Sequence, residues 1–130
     1  MNNSLSVYLV EDSPVLRDRV IESLEEMGNS RVVGSADKED DAVNGIIESA
    51  PDAVVLDMQL REGSGLNVLR RLRSLQLDVR PLVIVLTNYN HPEVRFRTIA
   101  AGTDYFFDKA TEFHRVAEVI GSLGNTATTQ

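Results

Sequence analysis

The chain of 130 residues contains no cysteine, which excludes disulfide frameworks, thiolate metal sites and cysteine nucleophiles and makes a reducing cell interior the expected setting. Tryptophan is absent too, and two histidines are too few for a histidine-dominated zinc centre. Positive charge is in deficit. Lys plus Arg is 13 against 20 Asp plus Glu, a formal net charge of −7, which disfavours nucleic acid and anionic lipid and favours cations or basic partners. Long apolar runs are missing: the longest beside a predicted strand is Leu82 to Leu86, far below the ~18 residues of a membrane helix. The opening residues, MNNSLSVYLVED, lack the basic start and cleavage site of an export signal. A cytoplasmic protein without membrane contact is expected. The composition is 42% hydrophobic, which suits a single domain over residues 1–130 with one core.

Short β-branched apolar runs alternate with amphipathic stretches along the chain. Leu5 to Val10 reads as the first strand. A helix follows with Leu16, Val20, Leu24 and Met27 inward, capped by Ser13, with Pro14 in its first turn and Gly28 at its end. Arg31 to Ala36 is the second strand. Asp37 then opens a helix with Ala42, Val43, Ile46, Ile47 and Ala50 on one stripe, closed by Pro51. Ala53 to Leu56, wholly apolar, is a strand covered on both faces, and Gly63 and Gly65 punctuate the loop after it. A third helix turns Val68, Leu69, Leu72 and Leu75 inward and Arg70, Arg71 and Arg73 outward. Leu82 to Leu86 is the fourth strand. A fourth helix from Pro92 to Gly102 buries Phe96 and Ile99 between exposed Arg95 and Arg97, and Tyr105 to Phe107 is the fifth strand. The last helix carries Phe113, Val116, Ala117 and Ile120. The core spans 5–123, and the tail GNTATTQ, 124–130, reads as frayed. Five β-α units with right-handed crossovers imply an α/β fold with a parallel sheet and helices on both faces.

In such a sheet, ligands bind at the carboxyl ends of the strands. Glu11 and Asp12 end the first strand, Asp57 the third, Thr87 and Asn88 the fourth, and Asp108 and Lys109 the fifth. Glu11, Asp12 and Asp57 brought together repel unless a cation lies between them. Oxygen-only ligation with room for water points to Mg²⁺ as cofactor. Asp57 is placed to act as a carboxylate nucleophile toward a phosphoryl group. Lys109 can pair with Asp57 at rest and with a phosphoryl oxygen afterwards, and Thr87 can donate to another such oxygen.

With these residues the sequence resembles the receiver domain of two-component response regulators, the CheY-like branch of the flavodoxin-like fold. The resemblance spans 5–123. It rests on VEDS at 10–13, VVLDM at 54–58, Gly65, LT at 86–87 and AGTDYFFDK at 101–109. It implies a doubly wound five-stranded parallel sheet in the order 2-1-3-4-5. It also implies Mg²⁺ held by Glu11, Asp12, Asp57 and the main-chain carbonyl of Gln59. Asp57 would accept a phosphoryl group from a phosphohistidine of a sensor histidine kinase or histidine phosphotransfer protein. Thr87 and Phe106 would be the switch residues that remodel the face of the fourth helix, fifth strand and fifth helix for a downstream protein target. The chain would be a signalling switch, not an enzyme acting on other molecules, and a monomer or weak dimer.

The sequence departs from the family in places. Ala110 follows Lys109 where proline is usual, so a cis bond there would cost ~3 kcal/mol and a trans loop is expected. Arg61 also replaces a usual proline, and Phe106 lacks a tyrosine hydroxyl, so any signal through it is steric. Gln59, Asn88 and Tyr89 flank the acceptor and are expected to control attacking water and hence the phosphorylated lifetime. His91 and His114 are expected at the surface without a role. The alternative function is a phosphorylation-independent interaction module on the same fold. A flavin carrier or haloacid-dehalogenase-type phosphatase fits less well. Glu11-Asp12 would repel a flavin phosphate, and EDSP is not the DxD pair such a phosphatase needs.

Overall fold

The computed structural model describes residues 4–78, 80–88 and 91–128, with side chains as far as Leu123. Strands β1 (Leu5–Val10), β2 (Ser30–Ala36), β3 (Ala53–Leu56), β4 (Leu82–Thr87) and β5 (Tyr105–Asp108) alternate with helices α1 (Pro14–Met27), α2 (Glu39–Ser49), α3 (Gly65–Ser74), α4 (Pro92–Ala100) and α5 (His114–Thr128). All pairings are parallel, and the sheet order is β2-β1-β3-β4-β5. The doubly wound, flavodoxin-like expectation is met.

Side-chain alternation along each strand splits the core in two. Tyr8, Val10, Val54, Leu56, Val83, Val85 and Phe106 face Ala42, Val43 and Ile46 of α2 and Val68, Leu69 and Leu72 of α3. Val7, Leu9, Val55, Ile84, Leu86 and Phe107 face Val20 and Leu24 of α1 and Val116 and Ile120 of α5. The apolar β3 run is buried throughout because both faces are covered. Ser13 caps α1 by accepting from the Leu16 N–H, and Gly28 ends it at φ 77°, a left-handed conformation that glycine adopts without a Cβ penalty.

Several sequence expectations are corrected. The largest concerns α4, where Phe96 is 74% and Ile99 50% exposed while Thr98 is buried. Thr98 satisfies its hydroxyl on the Val94 carbonyl at 2.7 Å. A polar residue therefore takes the inward position, and Val94, Thr98 and Ala101 form the stripe. Helix α2 begins at Glu39 because Asp37 is held elsewhere: its carbonyl accepts from the Arg61 N–H at 2.9 Å and its carboxylate pairs with Arg61 at 3.3 Å. At the other end Ala50 leaves the helix at φ 46°, and Ile47 is exposed. Met27 and Leu75, each in the last turn or just beyond it, are also exposed. Gly65 is the first residue of α3 rather than a loop residue. Arg73 is not outward: it is half-buried and donates to the Gly102 carbonyl beneath α4. The tail is helical to Thr128, since extending an established helix needs no new nucleus. The remaining two tail residues lie outside the described residues. No cis peptide occurs among the described residues, so Lys109–Ala110, where a cis bond would be costly, is trans.

Candidate functional site

The strand ends align because the ladder runs on past them. The Glu11 N–H donates to the Ala36 carbonyl at 2.9 Å, the Asp57 N–H to the Val10 carbonyl at 3.0 Å and the Lys109 N–H to the Thr87 carbonyl at 3.1 Å. Each functional side chain thus leaves from backbone that the sheet still holds. Gly65 closes the loop behind Asp57: its N–H donates to the Met58 carbonyl at 2.9 Å, and a side chain there would strike the Asp57 carbonyl.

At this edge the Lys109 ammonium lies 2.8 Å from Asp57 Oδ2 and 3.0 Å from Glu11 Oε1. Glu11 and Asp57 are buried at 2% and 4% exposure, while Asp12 is exposed. Burial, and next the Asp57 charge, push the Glu11 carboxyl up to about 7. Lys109 and the Ser13 N–H, 3.1 Å from Oε2, pull it back. Burial pulls the Lys109 ammonium down, but hydrogen bonds and charge from Asp57 and Glu11 outweigh this and hold it above its ordinary value.

Carboxylate oxygens of Glu11, Asp12 and Asp57 lie within 4.8 Å of one another. An octahedral Mg²⁺ with ligands at about 2.1 Å spans about 4.2 Å between opposite ligands. The separations are close to that span, so the three carboxylates would be able to hold such an ion together with water. The all-oxygen donor set suits a hard cation.

The structure brings together Glu11, Asp12, Asp57 and Lys109, and Thr87 is fully buried at the end of the neighbouring β4. Gln59 and Asn88 sit on exposed loops, the former donating its N–H to Asp57 Oδ1 at 3.3 Å. Tyr89 lies outside the described residues. Phe106 is buried under α4, and the Arg95 guanidinium stacks on its ring at 5.1 Å. His91 and His114 are exposed, as expected. Sequence reasoning missed the Lys109–Glu11 contact and the Arg95–Phe106 stack. The second had a signal in the arginine one turn ahead of the buried helix position.

The sequence model of the response regulator receiver domain matches residues 7–121. The chain belongs to this family. Among curated proteins, this receiver domain is 30% identical over 120 residues to the DNA-binding transcriptional activator DevR/DosR of Mycobacterium tuberculosis, covering 92% of this chain and 54% of that protein. It is 28% identical over 120 residues to a nitrate/nitrite response regulator protein homolog of Haemophilus influenzae, covering 92% and 57%. The chain therefore spans about half the length of the curated relatives it matches. Among solved structures, the signal receiver domain of the response regulator NarL from M. tuberculosis superposes with a TM-score of 0.85 at 23% identity, covering 95% of this chain and 98% of that one. A LuxR-family DNA-binding response regulator from Staphylococcus aureus gives 0.83 at 25% identity, covering 93% and 99%. Residues 7–121 form a receiver domain of the two-component response-regulator type.

Proposed function

We propose that this receiver domain accepts a phosphoryl group on Asp57 from a phosphohistidine of a sensor histidine kinase or phosphotransfer protein. The observation that carries this reading is the buried Asp57 carboxylate, 2.8 Å from Lys109 and clustered with Glu11 and Asp12. An Asp57 oxygen attacks phosphorus as the P–N bond breaks. The electron pair leaves with the imidazole nitrogen, which takes a proton from water. Glu11, Asp12, Asp57 and the Gln59 carbonyl would hold Mg²⁺, which would supply neutralisation of charge on the phosphoryl oxygens. Lys109 meets one of those oxygens and Thr87 donates to another. Gln59, Asn88 and Tyr89 restrict attacking water.

Phosphorylation biases an existing two-state equilibrium through Thr87 and Phe106, a change of a few kcal/mol. The readout is the face of α4, β5 and α5, where exposed Phe96 and Ile99 adjoin Arg95 and Arg97. A downstream protein docks there. Residues 1–130 act as one unit, a cytoplasmic monomer or weak dimer that modifies only itself. No helix among the described residues is long and apolar enough to cross a membrane. The net charge of −7 argues against nucleic-acid contact by this domain.

The test is label uptake from a small phosphodonor with Mg²⁺, expected for the wild type and absent for Asp57→Asn. Equal labelling of both, or of neither, overturns the reading. The second result would leave a phosphorylation-independent interaction module.

A further inference from the structure

The loop carrying Lys109 lacks the usual proline, yet it is held by two acidic side chains. Asp108 Oδ1 accepts from the Ala110 N–H at 2.7 Å and from the Thr111 N–H at 3.3 Å. A proline at 110 would have no N–H to give. The Glu112 carboxylate reaches back to the Asp108 N–H at 3.0 Å, and the Glu112 N–H donates to the Asp108 carbonyl at 2.8 Å. The two residues thus close on each other across Lys109, Ala110 and Thr111. Glu112 is itself tethered, with Oε2 3.6 Å from the Arg115 guanidinium, which stacks on the ring of Phe107 at 4.9 Å. Phe107 is buried in the core against α1 and α5. A chain of contacts therefore runs from that core to the backbone on either side of Lys109.

Such a tether matters for this side chain in particular. A lysine stem has four rotatable bonds and about 2 kcal/mol of rotamer freedom. Delivering its ammonium to Asp57 at 2.8 Å needs a fixed starting point, because an ångström of misplacement at a reacting group costs on the order of a hundredfold in rate.

We infer that Asp108 and Glu112 are positioning residues that hold the Lys109 backbone in place of a proline, so that the ammonium meets the acceptor carboxylate and then the phosphoryl oxygen. The inference rests on the phosphoacceptor reading above. Neither residue belongs to the Glu11–Asp12–Asp57 cluster, so their loss should weaken the hold on the phosphoryl group without weakening Mg²⁺ binding; a Lys109 ammonium drawn away from Glu11 and Asp57 leaves those carboxylates freer for a cation.

Reach and charge separate at Glu112. Glu112→Gln keeps an oxygen at the same distance without the charge, and Glu112→Asp keeps the charge but falls one methylene short. Phosphorylation rate from acetyl phosphate, beryllofluoride affinity and Mg²⁺ affinity would be measured by label uptake and calorimetry. Glu112→Asp and Glu112→Ala should each slow labelling and weaken beryllofluoride binding about tenfold with no loss of Mg²⁺ affinity. Glu112→Gln should stay within about twofold of the wild type. Asp108→Asn, which retains Oδ1, should likewise rescue the loss seen in Asp108→Ala. Gln behaving like Ala while Asp behaves like the wild type would make the role one of charge and overturn the inference. So would wild-type labelling by all of the variants, or a parallel loss of Mg²⁺ affinity. A wild type that takes no label at all would instead refute the phosphoacceptor reading, with the beryllofluoride and Mg²⁺ titrations still judging the loop.

Discussion

Glu11 shows how a binding site is held at a cost to the fold. Its carboxyl is pushed up to about 7 by burial and by Asp57, well above its ordinary value, so the folded protein binds a proton there more tightly than the unfolded chain does. With the folded value raised, this residue favours folding fully below the unfolded value, and that contribution is lost as pH rises toward 7. Above pH 7 the buried anion is a standing penalty, partly relieved by Lys109 at 3.0 Å. Glu11→Gln should therefore raise the stability of the metal-free protein by about 1–2 kcal/mol at pH 8 and by little at pH 5. On the proposed reading the same change removes a Mg²⁺ ligand and should weaken Mg²⁺ binding by about tenfold or more. Urea titrations in chelator at the two pH values, with calorimetric Mg²⁺ titration, check both halves. The same small change at pH 8 as at pH 5 would mean that Lys109 fully compensates the buried charge.

Helix α4 is the element where hydrophobic counting and geometry part company. Phe96 and Ile99 are its largest apolar side chains and read as its buried stripe, but a helix face is chosen as a whole. The turn that places Val94, Thr98 and Ala101 inward also sets Arg95 over Phe106. Thr98 reads as polar because its bond to the Val94 carbonyl cannot be seen in the order of residues. Phe96→Ser should consequently change the unfolding free energy from urea titration by no more than about 0.5 kcal/mol, where a buried phenylalanine would lose about 3–5. A loss in the larger range would place Phe96 in the core. Helix α2 presents the opposite problem. Gly45 lies in mid-helix, where alanine would ordinarily gain about 1 kcal/mol, yet a Cβ there would strike the hydroxyl of Tyr8, whose ring also fills the space left by Gly34. Gly45→Ala should destabilise by about 1–3 kcal/mol. Tyr8→Leu with Gly45→Ala should lose less than the two single changes together, a non-additivity that equilibrium unfolding of the three variants measures.

At the scale of the molecule, the fold was legible because strand burial is periodic and helix ends carry their caps; Ser13, Gly28 and the run Ala53–Leu56 mark boundaries that the structure keeps. The site was legible for a related reason. A parallel sheet collects the residues that follow its strands, so Glu11, Asp12, Asp57 and Lys109 meet although far apart in order. Which carboxylate the ammonium reaches was not legible: Glu11 and Lys109 are 98 positions apart, and only side-chain geometry brings their polar atoms together. Two apolar clusters, one on each face, form the core, and neither includes a residue of the acidic edge, so the scaffold is expected to fold without a ligand there. This separates the present case from small zinc domains, where metal binding is the folding free energy. Chelation should leave the far-ultraviolet circular dichroism unchanged. Added Mg²⁺ should raise the melting temperature only above its dissociation constant, by about 1.4 kcal/mol, or about 4–5 °C, for each further tenfold in concentration. Glu11→Gln should shift the onset of that rise to higher Mg²⁺ without changing its slope, because the slope reports one ion bound and the onset reports its affinity. A melting temperature indifferent to Mg²⁺ at every concentration would show that the three carboxylates, though within 4.8 Å of one another, do not share an ion.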